Sequence, residues 1–365
     1  MAPTLSTAAP EAPVERRAGP PDLHGNRLRR GAPAAVLAGS AVVGSAGTSA
    51  LGGGVAACVV VSWLVFVVAL QVVSRRFEER RHANDRLATT LIVSAFGLAL
   101  LPLVSLLWVV ISRGAGQLSA QFFTYSMRNV VGAGGGIYHA IIGTVLITLV
   151  AAVMSVPIGL FTAIYLVEYG PGRRLAAWIT FLVDVMTGIP SIVAGLFAYA
   201  LFAIFLGDGT RTGFAGAVAL SALMIPIVVR SSEEMLKLVP NELREAAYAL
   251  GVPRWRTIVK VVLPTSLAGI VTGVTLAIAR VIGETAPLLI TAGYTLSTNT
   301  NLFGGRMMTL PVFAYQSYKQ PGVPPQFGYD RGWGAALVLM LIVMVLNLAA
   351  RLVSYFLSPA RSSRG

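Results

Sequence analysis

From Ala34 to Phe356 the chain alternates long apolar runs with shorter polar connectors. The runs are Ala34–Leu51, Val55–Val73, Leu87–Ile111, Tyr138–Leu166, Ala176–Leu206, Gly213–Val229, Leu267–Thr291 and Gly334–Phe356. A bilayer's hydrocarbon core is ~30 Å thick and a helix rises about 1.5 Å per residue, so a span needs about 20 apolar residues. The first run is built from small residues and is the weakest candidate. Pro157, Pro226 and Pro287 lie inside runs, and Gly188-Ile189-Pro190 interrupts the fifth. Such breakers are tolerated in spans where neighbouring helices satisfy the freed backbone groups. The pattern predicts an all-α, polytopic membrane helical bundle. The charged break Arg75–Arg81 sets the first two runs apart as two extra N-terminal spans (34–85) ahead of a six-span core at 86–357.

Composition agrees. The chain is 55% hydrophobic and 12% charged, against roughly 25% charged in soluble domains. The net charge of +13 does not point to nucleic acid, because the basic residues sit in short connectors. They orient the bundle instead. With the N-terminus inside, 21 lysines and arginines fall on the cytoplasmic side and 6 on the other, with Arg280 inside a run. That bias predicts both termini in the cytoplasm of a multi-pass protein of the cell (inner) membrane. Residues 1–33, rich in Pro, Ala and Arg, read as a disordered cytoplasmic tail rather than a cleaved signal peptide, since the apolar run starts late. Residues 358–365 form a second tail.

The chemistry of an enzyme is missing from the pattern. Cys58 is the single cysteine, which excludes an internal disulfide and a four-cysteine metal site. His24, His82 and His139 are scattered, and no nucleophile–base pair stands out. No G-x-x-x-x-G-K-S/T loop occurs, so ATP is not bound here by that mechanism. No cofactor or metal is expected on the chain.

The longest polar interruption on the inner side, 233–264, has its own structure. Pro240 can start a helix, where its missing N–H is no loss, and Glu242 suits the positive N-terminal end. Leu243, Ala246, Ala247 and Leu250 share one helical face. Gly251 is placed to end the helix in the left-handed conformation. Pro253 can start a second helix, with Leu263-Pro264 closing it. A short helix–turn–helix at the membrane surface is predicted, its alanines allowing another backbone to approach.

Glu245-Ala246-Ala247, Gly251 six positions on, and Leu263-Pro264 resemble the EAA loop of binding-protein-dependent ABC importer permeases, with Val261 where that family prefers Ile. Three further stretches resemble the phosphate-specific permeases of the PstA type. They are Asp184–Phe197, Ala279–Leu289, and Gly134-Gly135-Gly136-Ile137 with the following Ala140-Ile141 and Gly143-Thr144. The similarity covers roughly Arg86 to Phe356. It implies a channel subunit that passes phosphate by alternating access. It also implies a second homologous permease, an ATPase dimer that holds the ATP and docks on the 233–264 loop, and an extracytoplasmic phosphate-binding protein.

Arg280 lies within a run, 16 residues past Pro264, or ~24 Å along a helix. A central Arg costs roughly 2.5–3.5 kcal/mol on insertion scales and normally faces the bundle interior. Glu284 follows at i+4, the spacing that brings helical side chains together. Arg280 is expected to line the phosphate path through bidentate hydrogen bonds, with Glu284 restraining it; a structural ion pair is the alternative. Arg230 ends its run at the inner surface, as an anchor or, as the resemblance implies, in the path. Asp184 reads as a polar hinge or helix contact. Gly188 and Pro190 are expected to break a helix, either exposing N–H groups to an anion or merely kinking it. Gly132 and Gly134–Gly136 read as an anion nest or a loop that meets a binding protein. A permease for another oxyanion, and an ion-coupled secondary transporter, are the rival functions; the EAA loop argues against the second.

The charge bias has a direct test. Cysteines introduced at Arg174 and Asn241 should be protected from an impermeant thiol reagent in intact cells, and one at Gly209 should react. Labelling of both inner positions would refute the orientation.

Overall fold

The computed structural model of the protein describes residues 31–50, 54–78 and 80–357. The described residues fall into two compact units, one up to Ser105 and one from Leu106. The first contains α1 (Ala32–Ala50), α2 (Val55–Phe77) and most of α3 (Arg80–Gly114). The second contains the end of α3, then α4 (Ala120–Thr124), α5 (Tyr138–Ile164), α6 (Arg174–Thr187), α7 (Ser191–Leu206) and α8 (Gly213–Lys237). It continues with α9 (Asn241–Ala249), α10 (Arg254–Thr257), α11 (Leu263–Val281), α12 (Ala286–Thr291), α13 (Leu310–Lys319) and α14 (Pro325–Leu357). No strand occurs among the described residues.

Six helical stretches are long and apolar enough to cross a membrane: Ala57–Phe77, Arg80–Gln117, Tyr138–Tyr169, Gly213–Lys237, Arg254–Val281 and Pro325–Phe356. The pair α6 and α7 adds a seventh if it counts as one span, although the two halves differ in direction by 107°. Many large apolar side chains on these helices point outward, among them Phe161, Phe197, Ile204 and Phe205. In lipid that surface needs no protein cover, and the backbone is satisfied within each helix.

In the first unit α1 meets α2 where Gly44 lies directly against Ser62, leaving no space for a Cβ. Glu78, at the end of α2, is buried and takes a bidentate pair from Arg86, at 2.6 and 3.0 Å. In the second unit α5 and α8 form the centre. Their shared core holds Ile147, Ala151, Leu220, Met224 and Val228. Gly159 lies against Val228, and Gly143 lies against the Met308 carbonyl. Small residues at such crossings let helices approach closely, which is how apolar helices associate without a hydrophobic driving force.

Four features differ from the run pattern. The apolar part of α1, Ala32–Thr48, is short for a span; Leu51 and residues 1–30 lie outside the described residues, as do 358–365. α8 does not stop at Val229 but continues two turns to Lys237, because its polar end is neutralised side chain to side chain. Leu263-Pro264 does not close the second helix of the loop. Arg254–Val281 is one continuous span, with a π-helical turn at Ile258–Val262 just before Pro264. Proline lacks the N–H that would bond one turn back, and the widened turn absorbs that loss. Finally, Leu267–Thr291 is not one helix. α11 ends at Val281 and α12 restarts at Ala286, because the Pro287 ring would collide with the carbonyl four residues earlier, whereas near a helix N-terminus proline is acceptable.

Candidate functional site

The 233–264 loop folds as a helix, a tight turn and the start of the next span. Pro240 caps α9. The helix ends on Gly251, whose φ of 76° only glycine adopts at little cost. There the Gly251 N–H donates to the Tyr248 carbonyl at 2.9 Å and the Val252 N–H to the Ala247 carbonyl at 3.1 Å. Pro253 caps α10. No residue of α9 is buried. Glu245 and Ala246 are exposed, Ala247 is half-buried, and Leu250 is 83% exposed. Leu263 and Pro264 lie at the start of α11. The apolar face expected from the spacing is therefore bare in this chain.

What holds this bare helix in place was not visible in the sequence. The Arg244 guanidinium donates from Nε and Nη2 to Glu168 Oε1 at 3.0 and 2.9 Å. Nη2 also donates to the Leu236 carbonyl at 2.9 Å, and Nη1 to the Val239 carbonyl at 2.6 Å and Asn241 Oδ1 at 3.3 Å. The side chains are 12% and 3% exposed for Arg244 and Glu168. Glu168 sits in the π-helical turn Tyr165–Tyr169 that ends the α5 span. The neighbouring Tyr169 ring receives Arg254, whose guanidinium carbon lies 5.4 Å from the ring centre. Both halves of the loop thus dock on one turn. The missed signal was a carboxylate just past an apolar run, which demands a cation.

Arg230 is not a bare anchor. It pairs through Nη2 with Asp184 of α6 and through Nη1 with Glu233 Oε2 at 2.9 Å. Lys237 Nζ takes the other Glu233 oxygen at 2.7 Å. Asp184 is thus a helix contact, one turn before Gly188 and Pro190, which separate α6 from α7 at the 107° bend.

Arg280 contrasts with this cluster. It is exposed, in the last turn of α11, and forms no ion pair or hydrogen bond among the described residues. The expected pairing with Glu284 is absent, because the helix ends at Val281 and the i+4 relation needs a continuous helix. Glu284 is half-buried in the break before α12. Gly273 abuts Ser231 and Gly269 abuts Met235, which sets the antiparallel register of α8 and α11. Arg280 therefore stands about 9 Å farther from the α9 end than Arg230 does, measured along the helix.

In the glycine-rich loop, Gly132, Gly134 and Gly135 all have positive φ. The carbonyls of Gly132 and Gly134 converge on Arg331 Nη1, each at 3.1 Å. The loop presents carbonyls to a cation rather than N–H groups to an anion.

A polytopic helical bundle with a bare amphipathic helix clasped to one end is the build of a membrane transporter subunit. Residues 155–363 match the family model described as binding-protein-dependent transport system inner membrane component. The chain is 48% identical over 293 residues to the phosphate transport system permease protein PstA 1 of Mycobacterium tuberculosis, covering 80% of this chain and 95% of that protein. It is 38% identical to PstA of Yersinia pestis, covering 76% and 92%. The chain belongs to this family of phosphate transport system permease proteins. Among solved structures its fold is similar to a bacterial alginate ABC transporter in complex with an alginate-bound periplasmic protein, with TM-score 0.54, 13% identity, and 74% and 94% of the two chains covered. It is also similar to the inward-facing MetNI methionine ABC transporter, with TM-score 0.51, 21% identity, and 61% and 96% covered.

The clasp gives a prediction. Arg244→Ala leaves Glu168 buried without a partner, a change that costs roughly 3–5 kcal/mol in folded proteins. It should loosen α9 while the spans stay inserted, read as faster protease cleavage between Leu238 and Val252 in membranes. Glu168→Gln keeps one acceptor and should be milder. Unchanged cleavage in Arg244→Ala would show that the clasp does not hold the loop.

Proposed function

We propose that this chain is one half of the channel of an ATP-driven phosphate importer. It moves inorganic phosphate by alternating access beside a second homologous permease. The observation that carries the reading is the bare α9. A helix with no buried residue, a leucine face open to solvent, and a buried clasp at its root is built to be covered by another protein. The partner is a cytoplasmic ATPase dimer, which holds the ATP and puts α9 on the cytoplasmic side; both termini lie on that side with α1 counted as a span. An extracytoplasmic phosphate-binding protein delivers the substrate on the other side. A secondary transporter has no use for such a helix.

Phosphate selectivity rests on family membership and on Arg280. An unpaired guanidinium can donate two parallel hydrogen bonds to phosphate oxygens. Arg230, already matched by two carboxylates, acts as a relay nearer the inner side. Glu284, held in the break beside Arg280, limits how tightly the anion is retained.

Two variants test coupling and path separately, with phosphate uptake and complex recovery measured together. Gly251→Asp forces a side chain into the left-handed region, at roughly 1–2 kcal/mol, and adds a negative charge at the negative helix end. Uptake and ATPase stimulation should both fall. Arg280→Gln should abolish uptake with the complex still assembled, Arg280→Lys should restore part of it, and Glu284→Gln should be milder. Normal phosphate uptake by Arg280→Gln would remove Arg280 from the path.

A further inference from the structure

Two arginines outside the sites above converge on one glycine. Gly293 follows α12, is buried, and has φ of 78°. A Cβ built there would lie 2.9 Å from Arg211 Cδ and 3.3 Å from Arg306 Cδ and Cγ. Both side chains thus pass over the same α-carbon, and the missing Cβ is what lets them do so.

Backbone hydrogen bonds aim them. The Thr212 N–H donates to the Thr291 carbonyl at 3.0 Å, next to Arg211. The Met307 N–H donates to the Ala292 carbonyl at 3.0 Å, next to Arg306. Thr212, Thr291, Ala292 and Met307 are buried. Asn299 Nδ2 donates to the carbonyls of Gly304 and Arg306, at 2.8 and 3.0 Å, and closes the loop that carries Arg306.

Neither guanidinium has a carboxylate partner. Among the described residues no ion pair or hydrogen bond forms at either guanidinium, although Asp208 lies three residues from Arg211 and is exposed. The adjacent Tyr294 is half-buried; burial pushes its phenol up from the ordinary value, while the charge of Arg331 acts against that shift. The two stems cross one α-carbon and bring two cationic side chains without counter-ions to one place, so an anion that bridges their guanidinium ends is favoured by both charges.

The place fits. α8 begins at Gly213, two residues after Arg211, and its far end leads into α9. The pair is therefore at the end of the bundle opposite the coupling helix, one short helix, α12, beyond Arg280 and Glu284. We propose that Arg211 and Arg306, converging over Gly293, form an oxyanion site that receives phosphate at the mouth of the path before Arg280 takes it. The proposal rests on the phosphate reading above.

The test uses the importer assembled with its partner permease, ATPases and phosphate-loaded binding protein in proteoliposomes, with labelled inorganic phosphate. Arg211→Gln and Arg306→Gln should each lower the maximal uptake rate about tenfold or more, the loss of charge-assisted hydrogen bonds. The binding-protein concentration that half-saturates ATPase stimulation should stay unchanged. Arg211→Lys and Arg306→Lys should recover part of the rate. Unchanged uptake overturns the site. So does a defect seen only as a higher half-saturating binding-protein concentration, which would mean the arginines dock an acidic protein surface. Poor complex recovery in the Gln and Lys variants alike also overturns it, because the stems would then be structural. If the unsubstituted importer passes another oxyanion instead of phosphate, and the Gln variants lower that uptake, the site stands and the phosphate reading falls.

Discussion

Arg244 belongs to a helix with no buried residue, yet its own guanidinium is almost enclosed. That contrast locates the constraint on which the α9 end of the bundle depends. A short surface helix of nine residues is marginal by itself. It holds its place because one side chain reaches back into the bundle and meets a carboxylate that has nowhere else to go. Glu168 without Arg244 would be an unpaired charge at the end of a span, and Arg244 without Glu168 would keep only the Leu236 and Val239 carbonyls and Asn241 Oδ1. The pair links α9 to α5, and α5 is the main partner of α8. On the proposed reading, a force on α9 would reach the centre of the bundle through this pair.

The elements that follow from local physics were legible in the sequence. Run length gave most spans, Pro240 and Gly251 marked the ends of α9, and Gly188-Ile189-Pro190 marked the bend. What was not legible depends on residues far apart in the chain or on how a proline is accommodated. Glu168 and Arg244 are 76 positions apart, and Arg230 and Asp184 are 46 apart. No periodicity reports such pairs. Pro264 and Pro287 look alike in sequence, but one is absorbed by a π-helical turn inside a continuous span and the other divides two helices. The i+4 spacing of Arg280 and Glu284 misled for that reason, since spacing carries meaning only where the helix is unbroken.

The bundle's charges are graded rather than uniform. Near the coupling end, Arg230 and Lys237 share Asp184 and Glu233, two cations against two anions. About 9 Å farther along the helix, Arg280 has no ion-pair partner among the described residues, and Glu284 is half-buried in the break that follows. At the opposite end Arg211 and Arg306 both pass over Gly293, with no carboxylate partner among the described residues. On the phosphate reading this order matters. A dehydrated anion of nearly two charges needs strong compensation where it leaves water, and strong compensation would trap it if it continued to the far side. A path must bind well enough to admit its solute and weakly enough to release it. Carboxylates that increasingly occupy the arginines toward the coupling end lower the hold on phosphate in the direction of release. The same carboxylates make each arginine cheaper to keep in the membrane, so the gradient serves stability at one end and capture at the other.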